Sequence, residues 1–363
     1  MAKLKFNNAK IKAIVTTVGD KRVAIEEEAS NYGYDERTLK RLKRSMGFES
    51  RYIVSDKSIC TSNLCIESAK DIFNSLSIDP KSIDALIFVS QTPDYKAPST
   101  AIIMQDRLGL STDTIAYDIN LGCSGYINGL LNAFMLINSG LNRVLLCVGD
   151  ISSQFAYKED KNLTPLMGDA GSAILIDNSS NPIDSYFVLH SDGSGYEHLI
   201  IPSGGCRQPF TTEALEIKSY EDGSKRRDID MYMNGAEIFN FTIKVVPKMF
   251  EEILEFASLQ KNDIDYYLLH QANRYILQNI AKRLDIDEDR LPMGTVTQYG
   301  NQNSASIPGT INAFLSKRVS SNRYRVIFAG FGIGLSWGAC ITELDNIYAP
   351  KIKIYQPKQG DRE

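Results

Sequence analysis

Four short segments of this sequence carry groups able to do covalent, proton-transfer or oxyanion chemistry. The first is Leu121-Gly122-Cys123-Ser124-Gly125. A strand-like run, Ile115 to Ile119, precedes it, and an apolar helix-like stretch starts at Gly125. A thiol at such a turn sits at a helix N-terminus, where unpaired N–H groups and the helix dipole favour thiolate and lower the thiol pKa. The flanking glycines let a substrate approach the backbone closely. On position alone Cys123 is equally a small packed residue, since free cysteine is often buried. Cys147, inside Val-Leu-Leu-Cys-Val, fits that description better.

The second segment is Leu268-Leu269-His270-Gln271-Ala272-Asn273. His270 ends a strand-like run and precedes a helix, and active residues of parallel sheets collect at carboxyl ends of strands. A hydrogen-bonded core histidine is an equal reading. His190 and His198 lie in less regular sequence. The third segment, Tyr299 to Ser306 (Y-G-N-Q-N-S-A-S), offers Asn301 or Asn303 as hydrogen-bond donors, or as ordinary helix caps. The fourth, Gly330 to Gly338 (G-F-G-I-G-L-S-W-G), lacks G-x-G-x-x-G spacing and the acidic residue that should follow it. Its backbone N–H groups suit an oxyanion site instead.

The elements that must position these residues alternate. Asp84 to Ser90, Val144 to Gly149, Tyr266 to Leu269 and Arg325 to Ala329 are short buried-strand patterns. Between them run helix-like segments at Cys60–Leu76, Ser99–Leu108, Gly125–Asn138, Gly235–Leu259, Tyr275–Leu284 and Ile307–Arg318. This alternation predicts a largely parallel α/β architecture. Internal echoes sharpen it. Ser82–Phe88 resembles Asn262–Leu268, and Gly129–Phe134 resembles Gly309–Phe314. Each of the latter pair is followed by Arg-Val, an apolar strand and glycine. The order and spacing predict two copies of one α/β unit, 1–180 and 181–363, joined near the polar stretch Asn178 to Pro182. The turns carrying Cys123 and Asn301 are then counterparts, facing one another. A polar insertion from Ser203 to Asp230, including Glu221 and Asp222, reads as a solvated loop or a flap over a cleft.

Composition excludes several classes. With 363 residues, 43% hydrophobic and 23% charged, the chain can bury a large core. Lys plus Arg number 40 against 44 Asp plus Glu, a formal charge of −4, which argues against broad phosphate neutralisation and so against a nucleic-acid partner. No apolar run is long enough to span a bilayer, and the start lacks a signal-peptide core. Six cysteines without a C-x-x-C pair and three histidines support neither a disulfide framework nor a zinc site. A cytoplasmic setting is expected.

Taken together, the segments resemble the β-ketoacyl-ACP synthase III branch of the thiolase-like condensing enzymes. The likeness runs from Ile11 to Leu344 and includes A-P-S-T-A at Ala97, G-C-S-G around Cys123, M-G-D-A-G at Met167, M-N-G-A-E-I-F at Met233, H-Q-A-N at His270, G-N-Q-N-S-A-S at Gly300 and the glycine segment at Gly330. The resemblance implies two duplicated α/β halves in a layered α-β-α-β-α arrangement. It implies a catalytic set of Cys123, His270 and Asn301. Cys123 would take an acyl group from a thioester. A malonyl-type thioester would lose CO2, with its enolate oxygen held by His270 and Asn301, and the carbanion would attack the acyl-Cys123 carbonyl to give a β-ketoacyl product. The N–H groups of Cys123 and of a residue near Ile333 would form the other oxyanion hole. Phe331, Gly332, Ala97 and Gln91 belong to the substrate pocket in this reading, and Asn303 stands behind the catalytic positions. No permanently bound cofactor and no metal is implied; CoA or ACP phosphopantetheine thioesters are the substrates.

Two departures bear on the acyl donor and acyl group. The positions of the usual CoA adenine clamp hold Arg41, Asn162 and Ser45, which favours an acyl carrier protein over CoA. Ala97 stands where the family often has Phe, which implies a longer or wider acyl pocket and a specialised pathway. Lys40, Arg41, Lys43, Arg44, Arg274, Lys282 and Arg283 could meet an acidic carrier. Arg44, Asn273 and Arg274 are the carrier or phosphopantetheine candidates, with Arg37 as another phosphate candidate. A homodimer is implied. The alternative is an acyltransferase moving the acyl group from Cys123 to an alcohol, amine or sugar, though Asn301 speaks for decarboxylation. A hydroxymethylglutaryl-CoA-synthase-like aldol reaction needs a carboxylate where Gln91 stands. A non-catalytic partner subunit would ordinarily lack the nucleophile.

Overall fold

The computed structural model of the chain describes residues 2–221 and 223–357; Asp222 of the polar insertion lies outside them. The two main sheets are built from β1 (Ala2–Phe6), β2 (Ala9–Val18), β3 (Ala85–Val89), β4 (Ile115–Ile119), β5 (Arg143–Asp150), β6 (Ala170–Asn178), β7 (Ser185–Ser191), β8 (Tyr266–Leu269), β9 (Arg323–Gly332), β10 (Ser336–Asp345) and β11 (Lys353–Ile354). The first sheet has the order β11-β2-β6-β5-β3-β4 and the second β1-β7-β10-β9-β8. The helices that matter to the site are α1 (Glu36–Met46), α2 (Thr61–Leu76), α3 (Thr100–Arg107), α4 (Gly125–Asn138), α5 (Gly235–Ala257), α6 (Arg274–Leu284) and α7, spanning 306–319. A π turn at Ile311–Leu315 interrupts α7.

Side-chain alternation along the strands sorts residues into layers. On β3, Ile87 and Val89 face a core shared with Leu146 of β5, Leu268 of β8 and Phe328 of β9. Tyr126, Leu130 and Phe134 of α4 and Ile307, Ile311 and Leu315 of α7 fill that same core. These two helices therefore lie between the sheets. Leu86 and Phe88 point the other way, against Cys65, Ala69 and Ile72 of α2 and Met104 of α3. On the far side, Val246 and Phe250 of α5 and Leu277 and Ile280 of α6 cover Tyr267, Leu269 and Ile327. The result is five layers, α-β-α-β-α. Each large core side chain contributes roughly 1.5–3 kcal/mol by leaving water.

The sheets are mixed rather than largely parallel. β3 runs parallel to β4 and β5, and β8 to β9, but β6 is antiparallel to both β5 and β2. β9 returns as β10 through only residues 333–335, far too few for a crossover, so this pair is antiparallel. The sequence misleads because β5 and β6 are buried on both faces, and their continuous apolar runs match the pattern parallel strands leave.

The ends of the chain cross over. β1 edges the second sheet against β7, while β11 edges the first beside β2. The stretch Asn178 to Pro182 links β6 to β7. No helix among the described residues is long and apolar enough to cross a membrane.

Candidate active site

Cys123 stands in the turn between β4 and α4. The turn is tight: the Gly125 N–H donates to the Gly122 carbonyl at 2.6 Å. Ser124 is anchored beneath it, its Oγ 2.6 Å from Ser336 Oγ, which in turn donates to the Ile333 carbonyl at 2.8 Å. These bonds tie the Cys123 turn to the β9–β10 hairpin. Gly332 of that hairpin lies directly behind the thiol. A Cβ there would fall 2.7 Å from both Cβ and Sγ of Cys123, so no larger residue fits. The backbone N–H groups of Ile333 and of Cys123 itself stand near enough to the sulfur to favour its thiolate form.

His270 follows β8 and is held at both ends. Its backbone N–H donates to the Ala329 carbonyl at 2.8 Å, and its Nδ1 lies 2.8 Å from Ser306 Oγ. Ser306 donates to the Asn303 carbonyl at 2.6 Å and accepts from the Gln271 N–H at 3.3 Å. With its one proton on Asn303, Ser306 Oγ can only accept from the ring, which places the imidazole hydrogen on Nδ1 and leaves Nε2 bare.

Asn301 is oriented by the backbone. Its Oδ1 accepts from the Asn303 N–H at 2.9 Å, so its amide N–H groups are left for the cavity. Its own backbone is clamped: the Asn301 N–H donates to the Leu166 carbonyl at 2.7 Å and the Gly168 N–H to the Asn301 carbonyl at 3.0 Å. Thus the segment Met167 to Gly171 acts by fixing Asn301. Cys123, His270 and Asn301 line one cavity. The Cys123 and Asn301 turns both reach it.

Burial governs the charges here. It pushes the Cys123 thiol up to about 11, with the charge of Asp150 adding to the effect and the Ile333 N–H opposing it. Desolvation at this turn thus opposes the N–H groups and the helix dipole that the sequence position offers the thiolate. Burial likewise lowers His270 to about 4, against the opposing hydrogen bond with the Asn303 carbonyl. At neutral pH both groups are uncharged.

The other expected residues divide. Phe331 packs edge-on against His270, ring centroids 5.8 Å apart, and lines the cavity with Gly332, Ile333 and Gln91. Ala97 is exposed and does not line the cavity of its own chain. Asn273 lines the cavity and caps α6, its Oδ1 accepting from the Ile276 N–H at 2.8 Å. Next to it, Arg274 packs near Gly47 at the end of α1. Arg44, Arg37 and Arg41 line a surface groove along α1 together with Ser45, and none of the three has an ion-pair partner among the described residues. Lys40 and Lys43 do, with Glu36 and Glu26 respectively, so the basic cluster is smaller than the sequence suggests. The insertion is anchored rather than free: Arg226 lies 3.6 Å from the Tyr220 ring centroid and 4.6 Å from that of Tyr232, and Met231 joins the cavity wall.

Sequence reasoning missed Ser306 and Asp150. Asp150 ends β5 and is fully buried. Its Oδ1 accepts from the Gln91 N–H at 2.7 Å, and burial drives its pKa up to about 7. Its place at the carboxyl end of a strand is the signal that singled out His270.

The five layers and the Cys123 turn are those of the thiolase-like condensing enzymes. Residues 117–193 match the family model of 3-oxoacyl-(acyl-carrier-protein) synthase III, and residues 254–344 match that of its C-terminal part. A Campylobacter jejuni protein provisionally named 3-oxoacyl-(acyl-carrier-protein) synthase 3 is 36% identical over 97% of this chain and 99% of its own. A Lactococcus lactis β-ketoacyl-(acyl-carrier-protein) synthase III is 33% identical over 82% of this chain and 88% of its own. The crystal structure of a Burkholderia xenovorans 3-oxoacyl-(acyl-carrier protein) synthase superposes with a TM-score of 0.89 at 33% identity, covering 97% of this chain and 99% of that one. The chain belongs to the β-ketoacyl-ACP synthase III family.

Proposed function

We propose that the protein condenses an acyl thioester with a malonyl-type thioester, losing CO2 and releasing a β-ketoacyl thioester. The observation that carries this reading is the convergence of Cys123, His270 and Asn301 on one cavity, with two backbone N–H groups near the sulfur. Cys123 Sγ attacks the donor thioester carbonyl, and its proton passes by way of the bare Nε2 of His270 to the departing thiol. The N–H groups of Cys123 and Ile333 hold the oxyanion. The second thioester then loses its carboxylate as CO2. For its enolate oxygen, Asn301 Nδ2 supplies one donor. His270 supplies the other in its second tautomer: the ring gives up the Nδ1 proton and takes one on Nε2 through solvent, and Ser306 turns its hydroxyl from the Asn303 carbonyl to the bared Nδ1. Phe331 gives the departing carboxylate an apolar wall. The carbanion forms a C–C bond to the acyl carbonyl, the C–S bond breaks, and Cys123 leaves as a thiolate that takes a proton from solvent by way of His270.

In this reading the donor is an acyl carrier protein. Arg41, Ser45 and Asn162 give adenine no stacking platform, while Arg37, Arg41, Arg44 and Arg274 offer cations to an acidic carrier near the mouth at Asn273. The halves 1–180 and 181–363 each supply one side of the site. Two copies pair along β4, an edge strand whose Ile115 is 47% exposed, and the exposed Ala97 of each serves the other's acyl pocket.

The test is intact-mass spectrometry with acyl-ACP and acyl-CoA donors, followed by malonyl-ACP and a CO2 assay. The expected result is an adduct on the native protein, none on Cys123→Ala, and stoichiometric CO2. An adduct without CO2 would transfer the reading to simple acyl transfer to another acceptor.

A further inference from the structure

Asp150 is a buried carboxyl that the condensation, as drawn, does not use. It ends β5, is 1% exposed, and has no cationic partner among the described residues. A carboxyl taken from water without a cation is costly unless hydrogen bonds replace the water. Here they do. Oδ1 accepts from the Gln91 N–H at 2.7 Å, from Ser90 Oγ at 3.1 Å and from Thr92 Oγ1 at 3.3 Å. Oδ2 faces Ser304 Oγ at 3.4 Å.

These donors come from two loops that meet at the nucleophile. Ser90 to Thr92 follow β3, and Ser304 belongs to the turn that carries Asn301. Each loop packs on one flank of Cys123. A Cβ on Gly122 would fall 2.4 Å from Gln91 Oε1, and one on Gly125 would fall 3.4 Å from Ser304 Cβ. Gly122 and Gly125 bracket Cys123 in the chain, so the carboxyl is joined to both sides of its turn. The brace is also tied outward. Thr92 Oγ1 lies 2.6 Å from Thr61 Oγ1 of α2 and accepts from the Ile151 N–H at 3.0 Å. The titratable groups beside the carboxyl are Cys123 and Cys65 of α2, and burial raises both thiols, so neither supplies a compensating charge.

We propose that Asp150 is a positioning residue for Cys123: through Gln91 and Ser304, its carboxyl fixes the turn that sets where the thiol stands against the donor thioester. This rests on the acyl-enzyme reading above. Asp150 touches no substrate and acts only through its neighbours. Its charge has a second effect, because an ionised Asp150 opposes the thiolate form of Cys123. The same carboxyl thus sets the place of the thiol and disfavours its free anion.

The experiment follows loading of Cys123 from acyl-pantetheine thioesters by intact mass, and alkylation of Cys123 by iodoacetamide. It compares the native protein with Asp150→Asn, Asp150→Ala and Ser304→Ala. Asparagine keeps an acceptor for Gln91 and a donor for Ser304; alanine keeps neither. The saturated loading rate of Asp150→Ala should fall at least about tenfold, the scale on which small misplacements cost rate, with the half-saturating thioester concentration little changed. Asp150→Asn should recover most of that loss. Near pH 8.5, where the native carboxyl is ionised, its thiol should alkylate about threefold or more faster than the native one. A residue that merely supports the fold would not slow its neighbour in this way. Ser304→Ala should also load more slowly, which keeps the inference testable if Asp150→Ala does not fold. Native-rate loading by Asp150→Ala or by Ser304→Ala overturns the inference. So does Asp150→Asn loading no better than Asp150→Ala, or alkylating no faster than the native protein. A native protein that takes no acyl group overturns the acyl-enzyme reading instead, and the alkylation arm alone then decides the role of Asp150.

Discussion

Ser306 Oγ sits 2.8 Å from His270 Nδ1 and 2.6 Å from the Asn303 carbonyl, so the direction of one hydroxyl proton is tied to the tautomer of the ring. The choice sets which imidazole nitrogen faces the substrate with hydrogen. In the proposed condensation His270 accepts in one half-reaction and donates in the next, and a hydroxyl neighbour serves both tautomers.

Ser306→Ala removes that choice. The expected outcome is a fall in decarboxylation of malonyl thioester by about 10- to 100-fold, in line with loss of a positioned proton-transfer partner. KM should change little, and the pH profile should shift with the histidine. Steady-state kinetics across pH 6 to 9 check this; an unchanged profile with a uniform loss would mark Ser306 as merely structural.

The thiol itself should be unreactive at neutral pH in the free protein. With Cys123 pushed up to about 11 and His270 down to about 4, no thiolate–imidazolium pair exists near pH 7. Alkylation of the Cys123 peptide by iodoacetamide should rise about tenfold per pH unit between 7 and 9.5, because the thiolate alone reacts. A plateau below pH 8 would contradict the neutral pair.

Gly332→Ala tests the support behind the thiol. A Cβ 2.7 Å from Cys123 Sγ must displace the sulfur or the hairpin, and the backbone there has φ of 156°. Acylation should fall at least about 100-fold, the scale on which small misplacements cost rate. Circular dichroism should be native and the mass adduct slow or absent.

Asp150 should make stability depend on pH in an unusual direction. Its folded pKa is raised to about 7, above its ordinary 3.8, because the carboxyl is buried without a cation. Its contribution is fully present below the unfolded value and is lost as pH climbs toward 7. Asp150→Asn keeps an acceptor for the Gln91 N–H and removes the charge. The variant's stability relative to the native protein should therefore rise from pH 4 to pH 7, by on the order of 3 kcal/mol. Urea unfolding of both at each pH isolates this group; a difference independent of pH would refute the buried-carboxyl account.

The sequence reveals the parts of this site that local pattern controls. Cys123 and His270 each end a strand and open toward a helix, and α4 starts at Gly125 and ends at Asn138 as its periodicity predicts. Strand direction is not a local property: β6 reads like β5 yet runs the other way. The roles of Ser306 and Asp150 depend on partners 36 and 59 residues distant, His270 and Gln91, and no periodicity reports such meetings. The desolvation that raises the thiol pKa is hidden from the sequence for a related reason. A helix terminus is visible in sequence, whereas the degree of enclosure around it is set by β9 and β10, two hundred residues away.

The exchanged edge strands have a bearing on how the molecule holds together. β1 belongs by sequence to the first half but completes the second sheet, and β11 does the reverse. Each half is thus laced to the other by its own chain end, in addition to the core that α4 and α7 share. A nick near residue 180 would not release two self-sufficient lobes, because each would keep an edge strand that pairs only with the other. The turns that hold Cys123 and Asn301 therefore sit between two sheets, each of which is closed at its edge by a strand from the far end of the chain.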